Sequence, residues 1–454
     1  MKTNSSTLNN VNKCSAFIIA APSSGSGKTT ITAALARYHR QQGRKVTVFK
    51  VGPDFIDPMI LNQASGELVY QLDLWLVGES GCRDLLYRAA ETSDLILIEG
   101  VMGLFDGTPS SADLAETFNI PVVGVIDAKA MAQTFAAVAF GLANYRPELP
   151  FAGVIANKVT TPRHEELIKD GLPPDIHFYG RIPTDDTITL PQRHLGLVQS
   201  QELAEIDQQL SKAAEHIANT GLTELPVPVD FYASEYFASE EADMQHVGKL
   251  TGKRLIILKD KAFSFIYAAN IDFLTETGAE LVFASALNDP HLPEGDFLYI
   301  PGGYPEIYAK KLSENKTFIA DVKSFALSQK PLLAECGGMM YLLKQLTDMD
   351  GQVYNMTGVL PGQATMQKKV IRIGSQSVEF PAFNEKGNTE NRIMRGHSFH
   401  YSTSEVSLTP ITQSKHHPTG KDGEMVYQQG NIIASYMHWY LPSNPSLALS
   451  FFGA

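Results

Sequence analysis

Residues 16–30 read AFIIAAPSSGSGKTT, and residues 31–43 continue ITAALARYHRQQG. Ala16–Ala20 is a short apolar run, Ser23–Gly27 is a loop of small residues, and from Lys28 the apolar positions take helical spacing. A strand that enters a helix through such a loop aims backbone N–H groups and the helix dipole at a phosphate. Lys28 then reaches the β and γ phosphates of a nucleotide and the Thr29 hydroxyl reaches Mg²⁺, with Gly25, Gly27 and Thr30 shaping the loop. The pattern G-x-x-x-x-G-K-[ST] is broken at its first glycine, where Pro22 stands. The strand before the loop and the helix after it outweigh that one departure.

Outward from this loop, VTVFKV, LILIEG, PVVGVID and FAGVIA alternate with longer amphipathic stretches up to about Phe178. Continuous Val, Ile and Leu runs mark strands buried on both faces, so the spacing predicts a parallel sheet with helices on both sides. The alternation fades through LTELPVPVD and the acidic ASEYFASEEADMQ, then resumes with RLIIL, ELVFA, FLYI and PLLAE before a more β-like, turn-rich end. The expected organisation is a flexible N-terminus (1–14), an α/β domain (15–225), a linker (226–252) and a second α/β domain (253–454). A length of 454 residues exceeds what a single core usually supports, in agreement with two domains.

Composition excludes several classes. Lys and Arg number 37 against 49 Asp and Glu, a net charge of −12, and no basic run tracks a phosphate backbone, so a nucleic-acid partner is not expected. The polar start, MKTNSSTLNNVNKCS, lacks a signal-peptide core, and no apolar run reaches the ~20 residues of a membrane span. A cytoplasmic protein without membrane contact is expected. Cys14, Cys82 and Cys336 are too few and too scattered for a disulfide framework or a zinc site.

Charged residues fall at the carboxyl ends of the predicted strands, where open α/β sheets bind ligands. They arrive in FKVGPDFIDP (49–58) and LILIEGVMGLFDG (95–107). Glu99 follows four apolar residues, a place where a carboxylate is costly unless it meets a cation, and Mg²⁺ is the natural one. Lys50 and Asp54 stand at the preceding strand end. Asp57 and Asp106 are read equally well as caps of a helix and a turn.

In the second half, PLLAE runs directly into Cys336 and then into GGMMYLLKQL, which has helical spacing. A thiol on a sharp strand-to-helix turn lies near backbone N–H groups and a helix N-terminus, which lowers thiol pKa. His438, at the end of ASYMHWYLP, supplies a base that takes the thiol proton and returns it to a leaving amine. Cys14 and Cys82 have no such setting and are read as packing.

The strings FKVGPDFIDP and IEGVMGLFDG, with LPQRHLGL at 190–197, resemble the signatures of the cobyrinic and hydrogenobyrinic acid a,c-diamide synthases, whose first domain is related to dethiobiotin synthetase. AECGGMMYL, YIPGGYPE (299–306), RGHSFHYS and ASYMHWY resemble the class I glutamine amidotransferase domain of cobyrinic and cobyric acid synthases. The resemblance implies amidation of the a and c acetates of a corrin polycarboxylate with ATP, Mg²⁺ and L-glutamine. It implies that Lys28 and Thr29 hold nucleotide and metal, that Asp54 and Glu99 help hold Mg²⁺, and that Lys50 and Asp73 lie near the substrate carboxylate. It also places Asn157 by the adenine, Cys336 as the nucleophile that attacks glutamine, His438 as its base, and amides near Gly302, Gly303 and Gly337 in an oxyanion hole. A homodimer is a candidate assembly.

The chain departs from the family pattern in places. Leu61 stands where members often have His, the segment after FDG is short, and Tyr440 occupies the position two after His438 where the class has Glu and the subgroup a second His. His397 and His400 are read as structural or substrate-adjacent. Competing readings are a cobyric acid synthase, a nickel-tetrapyrrole diamide synthase, and a P-loop switch or scaffold ATPase. FKVGPDFIDP weighs against the first, and the amidotransferase-like half against the last.

Overall fold

The structure, a computed structural model, describes residues 11–188, 203–234, 246–381 and 392–453. The described residues divide into two compact units, 11–188 with 203–234, and 246–381 with 392–453. The motif at 190–197 lies outside the described residues.

The first unit is built on strands β1 (Val11–Ala20), β2 (Val46–Lys50), β3 (Tyr70–Gln71), β4 (Leu95–Glu99), β5 (Val122–Asp127), β6 (Phe151–Asn157) and β7 (Phe178–Ile182). They pair in parallel in the order β3-β2-β4-β1-β5-β6-β7. Alternate residues feed opposite cores. Ile18, Ile96, Ile98 and Ile126 pack on one face with Cys82 and Leu86 of the helix Glu79–Thr92. Ile19, Leu95, Leu97 and Val125 pack on the other with Ile31 and Leu35 of helix α1 (Lys28–Gln41). Each such side chain contributes about 1.5–3 kcal/mol on full burial, which is why the strands read as unbroken apolar runs.

A further strand, β8 (Pro228–Tyr232), runs antiparallel to the first half of β1, from Val11 opposite Tyr232 to Ser15 opposite Pro228. It lies within the stretch expected as a linker, and residues 11–14 of the expected flexible start belong to β1. Short polar-apolar alternation hid both: only Val229 and Phe231 of β8 are buried.

The second unit opens with β9 (Arg254–Leu258), β10 (Glu280–Ala284), β11 (Phe297–Ile300) and β12 (Leu332–Glu335). The strands β13 (Gln345–Thr347), β14 (Val353–Asn355), β15 (Gly362–Met366), β16 (Arg372–Glu379), β17 (Ile393–His400) and β18 (Ser402–Val406) follow, and then β19 (Thr412–His416), β20 (Asp422–Gln429), β21 (Ile432–Ser435) and β22 (His438–Trp439). Ten of these form one sheet in the order β10-β9-β11-β12-β21-β20-β19-β16-β17-β22, parallel from β10 to β21 and antiparallel beyond. The order β14-β13-β15-β18 makes a small second sheet. This accounts for the β-like C-terminal sequence. No helix among the described residues is long and apolar enough to cross a membrane.

Candidate active site

In the first unit, Gly25 and Gly27 adopt φ of +80° and +99°, and α1 starts at Lys28. A Cβ on Gly27 would lie 2.2 Å from Asn157 Nδ2, so glycine is required there. Asn157, at the end of β6, donates from Nδ2 to the Ser26 carbonyl at 2.8 Å and thereby clamps the loop. Lys28 Nζ donates to the carbonyls of Ser23 (3.2 Å) and Met102 (2.5 Å), and Thr30 lies in the first turn of α1.

Lys50 and Glu99 are Cα partners at the carboxyl ends of β2 and β4. Lys50 Nζ lies 3.0 Å from Glu99 Oε1 and 3.1 Å from Asp57 Oδ2, and Thr29 Oγ1 donates to Glu99 Oε1 at 2.7 Å. Burial pushes Glu99 up to about 7 against the pull of Lys50. Burial also works against the charge on Lys50, but Glu99, Asp57 and Asp54 outweigh it and hold its pKa above the usual lysine value. Glu99 Oε2 is buried and has no hydrogen-bond partner among the described residues.

The other predicted residues also make local hydrogen bonds. Asp54 Oδ1 accepts from the N–H groups of Ile56 (2.8 Å) and Asp57 (3.4 Å), closing the turn before helix α2 (Asp57–Ser65). Asp57, which the sequence read as a cap or a ligand with equal weight, is a second carboxylate on Lys50 beside Glu99. Asp73 Oδ1 accepts from Trp75 N–H (2.8 Å) and Leu76 N–H (2.7 Å). Asp106 Oδ2 accepts from Gly103 N–H at 3.0 Å, a turn role. Leu61 is a core residue of α2. No cluster of three or more His, Cys, Asp or Glu suited to a metal exists among the described residues. The fit to Mg²⁺ therefore rests on hard oxygens, Thr29 Oγ1 and the unpartnered Glu99 Oε2, a small protein donor set of the kind Mg²⁺ takes while keeping water and phosphate ligands.

In the second unit, Cys336 joins β12 to the helix Gly337–Leu342 with φ 45° and ψ −108°, a conformation that costs about 1–3 kcal/mol and holds the thiol on a tight turn. Gly337 and Gly338 have a packing reason that the sequence did not reveal: added Cβ atoms would meet Pro305 Cδ at 2.7 Å and the Ile300 carbonyl at 2.1 Å. Cys336 N–H donates to Ser435 O at 2.8 Å, and three residues further on from Ser435 the chain reaches His438. Gly302 makes room for that ring, since its Cβ would lie 2.1 Å from His438 Cε1. Gly303 N would lie 3.1 Å from a Cβ on Gly337, so its backbone flanks the cysteine turn.

Contrary to the lowered thiol pKa expected of a helix N-terminus, burial pushes Cys336 above the usual cysteine range; Glu306, Glu424 and Glu335 add to this, and the Gly337 N–H only partly offsets it. The thiol therefore depends on a base. His438 is suited to that task, because burial, with His397 and His400 nearby, holds it well below the usual histidine value and hence neutral. His397 stacks on it at 5.0 Å and 20°, and burial takes His397 down to about 3. His400 is set apart by Glu424 Oε1 at 3.0 Å and by stacking on Tyr436 at 4.0 Å. Glu335 was missed as more than a flanking residue. Its Oε1 accepts from Trp439 N–H at 3.0 Å, its Oε2 accepts from Tyr299 OH at 2.8 Å, and Oε2 lies 4.0 Å from His438 Nδ1. Cys14 and Cys82 are buried, and burial raises both thiols, Cys14 to about 11, as packing cysteines require.

Residues 17–198 match the CobQ/CobB/MinD/ParA nucleotide binding domain, and residues 254–445 match the CobB/CobQ-like glutamine amidotransferase domain. The chain is 50% identical over 437 residues to the hydrogenobyrinate a,c-diamide synthase of Pseudomonas aeruginosa, covering 96% of this chain and 97% of that one. It is 50% identical to the protein of the same name from Stutzerimonas stutzeri, again over 96% and 97%. It is 44% identical to the cobyrinate a,c-diamide synthase of Herminiimonas arsenicoxydans, over 97% of each chain.

Proposed function

The chain belongs to the family of cobyrinate and hydrogenobyrinate a,c-diamide synthases, and from that membership we propose how its residues divide the reaction. The enzyme is a glutamine-dependent carbon–nitrogen ligase that uses a nucleotide-binding domain (matched over 17–198) and a glutamine amidotransferase domain (matched over 254–445) to amidate the a and c acetates of a corrin polycarboxylate. The observation that carries the reading is the presence in one chain of a phosphate loop tied to a buried Lys50–Glu99 pair and, in the other unit, of a strained Cys336 turn and a buried His438 whose ring Gly302 leaves room for.

A carboxylate is a poor electrophile, and transfer of the ATP γ-phosphoryl makes it an acyl phosphate with a good leaving group. In the proposed division Lys28 neutralises the phosphates from the loop that Gly25, Gly27 and Thr30 shape, while Asn157 holds that loop and faces the base of the nucleotide. Thr29 and Glu99 hold Mg²⁺, which when bound offsets charge on the β and γ phosphates. Asp54 shapes the adjoining loop and supports Lys50. Lys50 orients the substrate carboxylate, and Asp73 fixes the turn beside it.

At the other site His438 takes the Cys336 proton, the thiolate attacks the glutamine carboxamide, amides around Gly302, Gly303 and Gly337 receive the oxyanion, His438 returns the proton to departing ammonia, and water then hydrolyses the glutamyl thioester to glutamate and the free thiol. Glutamine supplies ammonia as the free base, which bulk water at neutral pH largely protonates. Cytoplasmic location accords with the demand for ATP and glutamine, and a homodimer is checked by light scattering.

The test is the product formed from cobyrinic and from hydrogenobyrinic acid with ATP, Mg²⁺ and glutamine. The reading expects a diamide from at least one of them, with glutamate and ADP released in step. No amide from either, or amidation beyond the a and c positions, overturns it.

A further inference from the structure

Tyr440 leaves the position two residues after His438 without a carboxylate, yet the buried base still needs an anion to accept its charge when it takes a proton. Resting on the reading of Cys336 and His438 as the glutaminase pair, we propose that Glu335, on the strand that delivers the nucleophile, is the residue that positions His438 and balances its charge.

Glu335 is anchored on both oxygens. Oε1 accepts from the backbone of Trp439, the residue after His438, and so fixes the strand that carries the base. Oε2 accepts from Tyr299 OH on β11 and lies 4.0 Å from His438 Nδ1, with both side chains only 1% exposed. The nucleophile and a carboxylate beside its base are thus neighbours in sequence at the end of β12.

Other titratable groups face this pair. His397 stacks on His438 and is neutral, its Nδ1 engaged by Tyr267 OH at 2.5 Å. His400 acts on His438 from further along β17, and Glu306 and Glu424 act on Cys336. Burial pushes Glu335 up to about 8, and its hydrogen bonds from Trp439 and Tyr299 pull the other way. Glutamine hydrolysis requires His438 neutral and Glu335 ionised, so the rate climbs as Glu335 loses its proton.

The experiment is glutamate release by the full chain across about pH 6 to 9, for wild type, Glu335→Gln and Tyr299→Phe, with ammonia-supported amidation as the folding control. Glu335→Gln removes the counter-charge. It is expected to lower kcat by on the order of tenfold to a hundredfold with little change in KM, and to move the ascending limb of kcat/KM to lower pH, where His438 alone titrates. Tyr299→Phe removes a donor that favours the carboxylate, so the same limb moves to higher pH. Opposite shifts support the proposal. An unchanged limb in both variants overturns it, even with a reduced rate, because a merely structural carboxylate does not move the limb. If Glu335→Gln fails to fold, an unmoved limb in Tyr299→Phe overturns it alone. A failure of the underlying reading looks different: Cys336→Ser would still release glutamate.

Discussion

Lys50 Nζ and Glu99 Oε1 lie 3.0 Å apart because the two residues are register partners at the carboxyl ends of adjacent parallel strands, and both are buried. Strand pairing therefore sets the distance between the cation and the carboxylate without help from any loop. Lys50→Met would leave Glu99 and Asp57 buried without their cation, and breaking a buried pair this way costs about 3–5 kcal/mol. Urea unfolding of the first unit is expected to show that loss. A change below about 1 kcal/mol would mean that solvent already screens the pair.

Glu99→Gln keeps the shape of the side chain and Asp57 still faces Lys50, so this variant is expected to fold. It removes the charge beside Thr29, and amide synthesis is expected to fall by at least a hundredfold while glutamine hydrolysis persists. Titrating Mg²⁺ checks the cause: near-normal turnover at low Mg²⁺ would make Glu99 a structural carboxylate.

Gly302→Ala places a methyl carbon where His438 Cε1 already sits, with 2.1 Å between them. The ring must move, and glutamine hydrolysis is expected to drop at least tenfold while ammonia-supported synthesis stays. Equal loss of both activities would point to misfolding.

His397 has a folded pKa of about 3 against an ordinary 6.5, so below pH 6.5 the unfolded chain binds a proton that the folded chain refuses. The stability it contributes is present above pH 6.5 and is lost as pH falls toward 3, with a slope of up to about 1.4 kcal/mol per pH unit. His397→Gln is expected to flatten the acid side of the pH–stability curve by that amount. An unchanged slope would show His397 protonated in the folded protein.

Much of this was legible in the sequence because the fold announces itself where strands are buried on both faces. LILIE and LLAE each end an apolar run in a carboxylate. Glu99 could be picked out because a P-loop lysine and threonine had already been read nearby. Glu335 could not, because its partners Tyr299 and Trp439 come from 36 and 104 residues away, and the strings YIPGGYPE and ASYMHWY that contain them do not say that they meet it. The same limit applies to the contact of Asn157 with Ser26, which spans 131 residues, and to β8, whose register with β1 is set by pairing across most of the first unit. The raised Cys336 thiol was misjudged since a sequence displays the helix N-terminus but not the depth at which it is buried.

The division of labour between the two sites is tested most directly by Cys336→Ser, assayed for amide formation with glutamine and, separately, with high ammonium chloride. The serine keeps the turn filled but lacks an easily formed anion, so attack on glutamine fails by orders of magnitude. The account predicts no amide from glutamine and sustained amide formation from ammonium, rising with pH as the free-base fraction grows. Glutamine-dependent synthesis by the variant, or loss of ammonia-dependent synthesis in a folded protein, would contradict it.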